Sequence, residues 1–184
     1  MYIIGITGGS CSGKSTIALK IKESLEPKKV SIVHMDRYYK KLTPNVTAPF
    51  TGIVYAEHNH PDALRLDEMY ADFNDLLNGD SDVVIIEGLF ALYLKEIREK
   101  LDFKVFVDLQ SDERIVRRIK RFMADRGQTM DEVANRFLDT VRFRHDELVE
   151  PTRWYADIIV NGCLDLHHGT EALIKYIKFE VEKL

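Results

Sequence analysis

The chain has 184 residues, 45% hydrophobic and 30% charged, with a formal net charge of −4. That length fits one globular domain, expected over residues 1–184. The longest apolar run, Val83 to Ile86, meets Glu87 too soon to span a bilayer, and the acidic balance argues against a nucleic-acid binder. No basic stretch precedes the N-terminal apolar run. Cys11 and Cys163 lie far apart, without disulfide or zinc spacing, so a cytoplasmic protein with free thiols is expected.

Tyr2 to Thr7 is short, apolar and β-branched, and reads as a buried strand running into a glycine-rich loop. Ile17 to Leu25 has helical spacing, and Val30 to Met35 is a second strand ending at Asp36. Thr43 to Asn59 carries prolines and a glycine with no sustained period, and is predicted to be a long surface loop. After Pro61, the spacing of Leu66, Met69, Tyr70, Phe73, Leu76 and Leu77 predicts an amphipathic helix stopped at Asn78-Gly79. Asp82 to Ile86 and Phe103 to Val107 are continuous Val/Ile-rich runs, as in parallel strands buried on both faces. Helices are predicted at Tyr93 to Leu101, Asp112 to Ala124 and Met130 to Val149, the last opened by a capping box at Thr129 to Glu132. Asp157 to Val160 is a fifth strand, and Glu171 to Leu184 a closing helix. Strands alternating with helices imply a doubly wound α/β domain on a five-stranded parallel sheet.

Gly8-Gly9-Ser10-Cys11-Ser12-Gly13-Lys14-Ser15-Thr16 fits the phosphate-binding loop, Gly-x-x-x-x-Gly-Lys-Ser, and lies between a predicted strand and a predicted helix, as its mechanism requires. Its glycines let backbone N–H groups turn inward around phosphate oxygens, and the helix N-terminus adds its positive end. Lys14 would reach the β- and γ-phosphates and Ser15 would ligate Mg²⁺. Cys11 reads as a small filler, with no partnered base. Ligands of open parallel sheets bind beyond the carboxyl ends of the strands, where Asp36, Glu87 and Asp108 stand; Asp108 reads equally as a helix cap. Arg114, Arg117, Arg118, Lys120, Arg121 and Arg126 fall within thirteen residues, on and just after one predicted helix. Arg114, Arg118 and Arg121 share a face opposite Ile115, Ile119, Phe122 and Met123, which is expected to be the buried side. Beside a phosphate loop such arginines suit a lid that closes on transferring phosphoryl oxygens. His60-Pro61-Asp62 taken alone is a helix start, and His167-His168 lacks a third metal ligand and is expected to be solvated.

Taken together the chain resembles the uridine kinase and phosphoribulokinase family of P-loop kinases. The resemblance rests on Gly8 to Thr16, His34 to Lys40, His60-Pro61-Asp62-Ala63, Val84 to Gly88, Phe106-Val107-Asp108, Arg117 to Gly127 and Glu150 to Ile159. It implies a P-loop NTPase fold with a substrate loop at about residues 37–62 and an arginine-bearing helical lid at about 112–150. It also implies transfer of the γ-phosphate of ATP, or another NTP, to a primary hydroxyl of a nucleoside-like substrate. On this resemblance Asp36 accepts the hydroxyl proton, and Ser15, Asp36 and Glu87 form the Mg²⁺ site. Lys14, Arg118, Arg121 and Arg126 hold the phosphates, while Tyr39, His60 and Asp62 lie on the substrate side, Asp62 toward the ribose hydroxyls. The family often forms homo-oligomers.

The chain departs from the family pattern in the lid, where Phe122 replaces a common acidic residue and Gln128 an arginine. Asn78-Gly79-Asp80-Ser81 also runs straight into Asp82, so the base-reading hairpin expected there is missing, with Tyr55, His58 and His60 as candidate substitutes. The expected function is a uridine kinase-like nucleoside kinase. A nicotinamide riboside or other metabolite kinase is the sister reading, and an ATP-binding regulator without transfer is the alternative from another class. Asp36 separates kinase from sensor, because transfer needs an acceptor on the substrate side.

Overall fold

The computed structural model describes residues 1–163 and 167–184. A parallel sheet is built from β1 (Tyr2–Gly8), β2 (Val30–His34), β5 (Val83–Glu87), β6 (Phe103–Asp108) and β7 (Ile158–Asn161), in the order β2-β5-β1-β6-β7. Between β2 and β5 lie β3 (Asn45–Thr47) and β4 (Val54–Ala56), a separate antiparallel pair. The strand formed first in the sequence is therefore the central one, hydrogen-bonded to β5 on one side and β6 on the other.

Side chains alternate across this sheet. Ile4, Ile6, Val83, Ile85, Val105 and Val107 pack against helices α1 (Lys14–Ser24) and α7 (His167–Glu182) through Ile17, Ile21, Leu173 and Ile177. Val84, Ile86 and Phe106 face the other way, toward Met69 and Phe73 of α2 (Leu66–Leu77) and Ile97 of α3 (Lys95–Arg98). Burial on both faces explains the unbroken Val/Ile runs. The expected doubly wound architecture and its five strands are present.

Three expectations change. The helix predicted over Tyr93 to Leu101 shrinks to the four residues of α3, because Phe90 to Leu94 form turns that bury Phe90, Leu92 and Leu94. The segment predicted as a loop over Thr43 to Asn59 contains the β3–β4 hairpin, and buried Glu57 ties it down through an ion pair with Arg144 at 2.8 Å. Among the described residues no hairpin intervenes between α2 and β5, and β3–β4 is a separate hairpin earlier in the chain.

The third change concerns the arginine helix. α4 (Ser111–Arg126) buries Arg114, Arg118 and Phe122, while Met123 and Val116 are about half exposed. The guanidinium groups at 114 and 118 face inward, toward the carboxyl ends of the strands. From Met130 the chain continues as α5 (Met130–Arg136), a π-helical turn at Phe137–Val141, α6 (Arg142–Arg144) and a second π-turn at His145–Val149. The Thr129 capping box has both arms: Thr129 accepts from the Glu132 amide, and Glu132 accepts from the Thr129 amide. No helix among the described residues is long and apolar enough to cross a membrane. His168 is exposed beside Glu171, and the side chain of His167 lies outside the described part.

Candidate active site

The phosphate loop leaves β1 at Gly8, whose φ of +144° suits glycine, and a Cβ there would lie 2.2 Å from the Val107 carbonyl oxygen. Gly13 caps α1 in the left-handed region. Between them Cys11 also takes a positive φ of 64°, with its Sγ 3.9 Å from Ser10 Oγ. Lys14 is buried and folds back so that its ammonium donates to the Gly9 carbonyl at 2.9 Å. Burial pushes its pKa down, opposed by the negative charges of Glu87 and Asp36.

Glu87 ends β5 and is buried. It accepts from the Ser15 hydroxyl at 2.9 Å and meets His34 Nδ1 at 2.7 Å on the same oxygen. The parallel register sets this contact directly, since His34 of β2 lies opposite Glu87 of β5. His34 was not singled out from the sequence as a site residue; the signal was the pairing of two polar strand-end residues in adjacent parallel strands. Thr7 reinforces the corner, donating to the Gly88 and Leu89 carbonyls at 3.1 and 3.0 Å.

Asp36 follows β2 in a 3₁₀ turn, Met35–Tyr38, and is exposed to the same cavity. Its charge bears on Lys14 on one side and on Tyr39 on the other. Tyr39 donates its hydroxyl to the His58 carbonyl at 2.7 Å, and burial, followed by the Asp36 charge, raises its pKa. Arg118 is buried and donates to Ser10 Oγ at 2.8 Å. Desolvation pushes it down to about 10, so it stays charged at neutral pH.

These groups surround one cavity of about 320 Å³. Lys14, Ser15, Thr16 and Glu87 line its phosphate-loop end, and Arg117, Arg118, Arg121 and Arg126 form the wall contributed by α4. Tyr39, His58, Asn59, Gln128, Val133 and Arg136 line the remainder. Of the residues expected at the site, Ser10, Cys11, Gly13, Lys14, Ser15, Thr16, Asp36, Tyr39, Glu87, Arg118, Arg121 and Arg126 meet there. Gly8, Gly9 and Ser12 belong to the loop without facing the cavity.

His60 and Asp62 stand apart. His60 accepts from the Asp62 amide at 3.2 Å as the cap of a 3₁₀ turn, the Asp62 side chain is exposed, and neither lines the cavity. Asp108 neither caps α4 nor faces the cavity; it is paired with Arg153 at 2.9 Å. His58 and Arg136 line the end of the cavity away from the phosphate loop, with His58 Nδ1 3.0 Å from Arg136 Nη2. Burial, then Arg136 and Arg126, lower the His58 pKa. A lone arginine on an amphipathic helix carries no sequence signal, and only the fold brings Arg136 to the cavity.

A hydroxyl and two carboxylates beside a buried lysine, faced by a wall of arginines, have the chemistry to hold a polyphosphate. Comparison with known proteins agrees. The sequence model described as Phosphoribulokinase / Uridine kinase family matches residues 3–81 and 74–166. Uridine kinase of Staphylococcus aureus (strain JH9) is 38% identical over 181 residues, covering 86% of each chain. Among solved structures, phosphoribulokinase from Rhodobacter spheroides superposes with a TM-score of 0.63 at 17% identity, over 87% of this chain and 69% of that one. Shikimate kinase from Bacteroides thetaiotaomicron gives 0.58 at 16% identity over 98% of both chains, so these two share the fold. The chain is a nucleotide-using phosphotransferase with a hydroxyl acceptor, and it belongs to the phosphoribulokinase/uridine kinase family.

Proposed function

We propose that the protein transfers the γ-phosphoryl group of ATP to the primary hydroxyl of a nucleoside, with uridine as the first acceptor to test because relatives at 38% identity carry the name uridine kinase. The observation that carries this reading is the place of Asp36, on the wall of the cavity between Lys14 at the phosphate end and Tyr39 at the other. A sensor of ATP needs the loop alone, whereas transfer needs an acceptor for the hydroxyl proton at that junction.

The donor set suits Mg²⁺. The Ser15 hydroxyl and the Glu87 carboxylate already touch, Asp36 shares their cavity, and all offer hard oxygen donors. When bound there, the ion would neutralise charge on the phosphate oxygens. The loop amides and Lys14 hold the polyphosphate, and residues 112–150 act as a lid from which Arg118, Arg121 and Arg126 meet the charge that develops on the transferring group. Asp36 orients the acceptor hydroxyl and takes its proton. A strong base is unnecessary, because in a loose transition state positioning dominates.

An ADP-release screen against uridine, cytidine, nicotinamide riboside, other nucleosides and sugar phosphates tests the acceptor, and Asp36→Asn tests the chemistry. The expected result is nucleoside-dependent ADP release that falls by about 10² to 10⁴ in Asp36→Asn while ATP still binds. Release stimulated only by a sugar phosphate would overturn the acceptor class, and undiminished turnover in Asp36→Asn would overturn the role of Asp36.

A further inference from the structure

Phe122 is buried in the wall of the cavity, and three guanidinium groups converge on its ring. The guanidinium carbons of Arg126, Arg118 and Arg121 lie 4.0, 4.3 and 5.1 Å from the ring centroid. Arg118 and Arg126 are one helical turn before and after Phe122, and Arg121 is its neighbour, so α4 itself delivers all three to one aromatic side chain. The Phe122 carbonyl also accepts from the amide of Gly127 at the helix C-terminus and from that of Gln128 at 3.4 Å, which fixes the turn that presents Arg126.

Among the described residues none of these three arginines is paired with a carboxylate. The groups crowd one another, and the charges of Arg121 and Arg126 both bear on buried Arg118. Three cations converging without a counter-ion need something to hold them apart and in place. An acidic residue would do so by engaging guanidinium N–H groups, which would then compete with the phosphate. An aromatic face attracts a guanidinium through its quadrupole, leaving the charge and the in-plane N–H fork free for an anion.

We infer that Phe122 is a positioning residue whose ring, through cation–π contact, holds Arg118, Arg121 and Arg126 ready for the transferring phosphoryl group. The inference rests on the reading of these arginines as a phosphoryl clamp. It assigns the Phe122 side chain a role in kcat that an apolar residue of similar size does not fill.

The test compares steady-state kinetics of Phe122→Leu, which keeps the apolar volume, and Phe122→Tyr, which keeps the ring, with those of Arg121→Ala and the double variant Phe122→Leu/Arg121→Ala. Phe122→Leu is expected to lower kcat by about ten-fold with little change in acceptor KM, and Phe122→Tyr to recover most of that loss. The effect of Phe122→Leu should also shrink in the Arg121→Ala background, because the two residues act through one contact. Phe122→Met serves as the second apolar replacement if Phe122→Leu does not fold. A Leu variant with wild-type kcat, a Tyr variant as impaired as Leu, or fully additive losses would each overturn the inference while leaving the clamp in place. Wild-type kcat in Arg121→Ala would remove the clamp itself and the inference with it.

Discussion

His145 shows how strongly the surroundings of the site act on a single side chain. Its ring is largely buried behind the phosphate loop, with Nε2 3.4 Å from Glu150 and Nδ1 without a hydrogen-bond partner among the described residues. Burial, then the positive charges of Arg114, Lys14 and Arg153, push its pKa down to about 3 from an ordinary 6.5. The sign follows from linkage: between those two values the unfolded chain binds a proton that the folded one refuses, so stability is lost as pH falls. Urea unfolding of the wild-type protein should therefore show about 2 kcal/mol less stability at pH 5 than at pH 7 from this group. In His145→Gln that part of the pH dependence disappears; an identical pH profile in the two proteins would show that His145 is protonated in the fold. Little of this was legible in the sequence, because Arg114 and Lys14 lie on elements far from residue 145 and only folding brings them near.

At the scale of elements, the capping box at Thr129 is the clearest case of a local signal that specifies a boundary. It separates α4 from the helical run carrying Val133 and Arg136, both of which line the cavity. Thr129→Ala removes one arm of the box and should cost about 1 kcal/mol, measured as a lower urea midpoint with an unchanged slope. This cap was readable because it involves residues three apart. The β3–β4 hairpin was not, since its strands are three residues long, mostly exposed, and held from outside by Tyr55 and Thr51 donating to Asp139 and by Glu57 pairing with Arg144. The orientation of α4 escaped for a different reason. Amphipathic patterning assumes that arginines seek water, but here Arg114 and Arg118 are buried, Arg117, Arg118, Arg121 and Arg126 line the cavity, and Met123 and Val116 are left outside instead. What patterning misjudged was the ligand, not the helix.

For the molecule as a whole, the central strands could be read residue by residue because both of their faces are buried, and the phosphate loop because its chemistry demands glycine at fixed spacing. The other end of the cavity could not, being assembled from Tyr39, His58, Gln128 and Arg136 on separate segments. Because the proposed nucleotide site lies between the loop after β1 and the wall of α4, binding is expected to stabilise the entire fold. At one hundred times its dissociation constant, MgATP should contribute roughly 2.7 kcal/mol and raise the melting temperature. In Lys14→Ala that rise should fall to a small fraction of its wild-type size, and an equal shift in both proteins would show that Lys14 does not hold the phosphates.

The position of β1 has a consequence for the order in which the protein is made. The phosphate loop, which ends at Thr16, leaves the ribosome before the strands that flank β1, which begin at Val83 and Phe103. The loop is closed off later still, by Gly162, packed so tightly on Ser12 that a Cβ there would lie 1.9 Å from the Ser12 carbonyl oxygen. A nascent chain thus carries its phosphate-binding motif long before the strands and the glycine that frame it have been made.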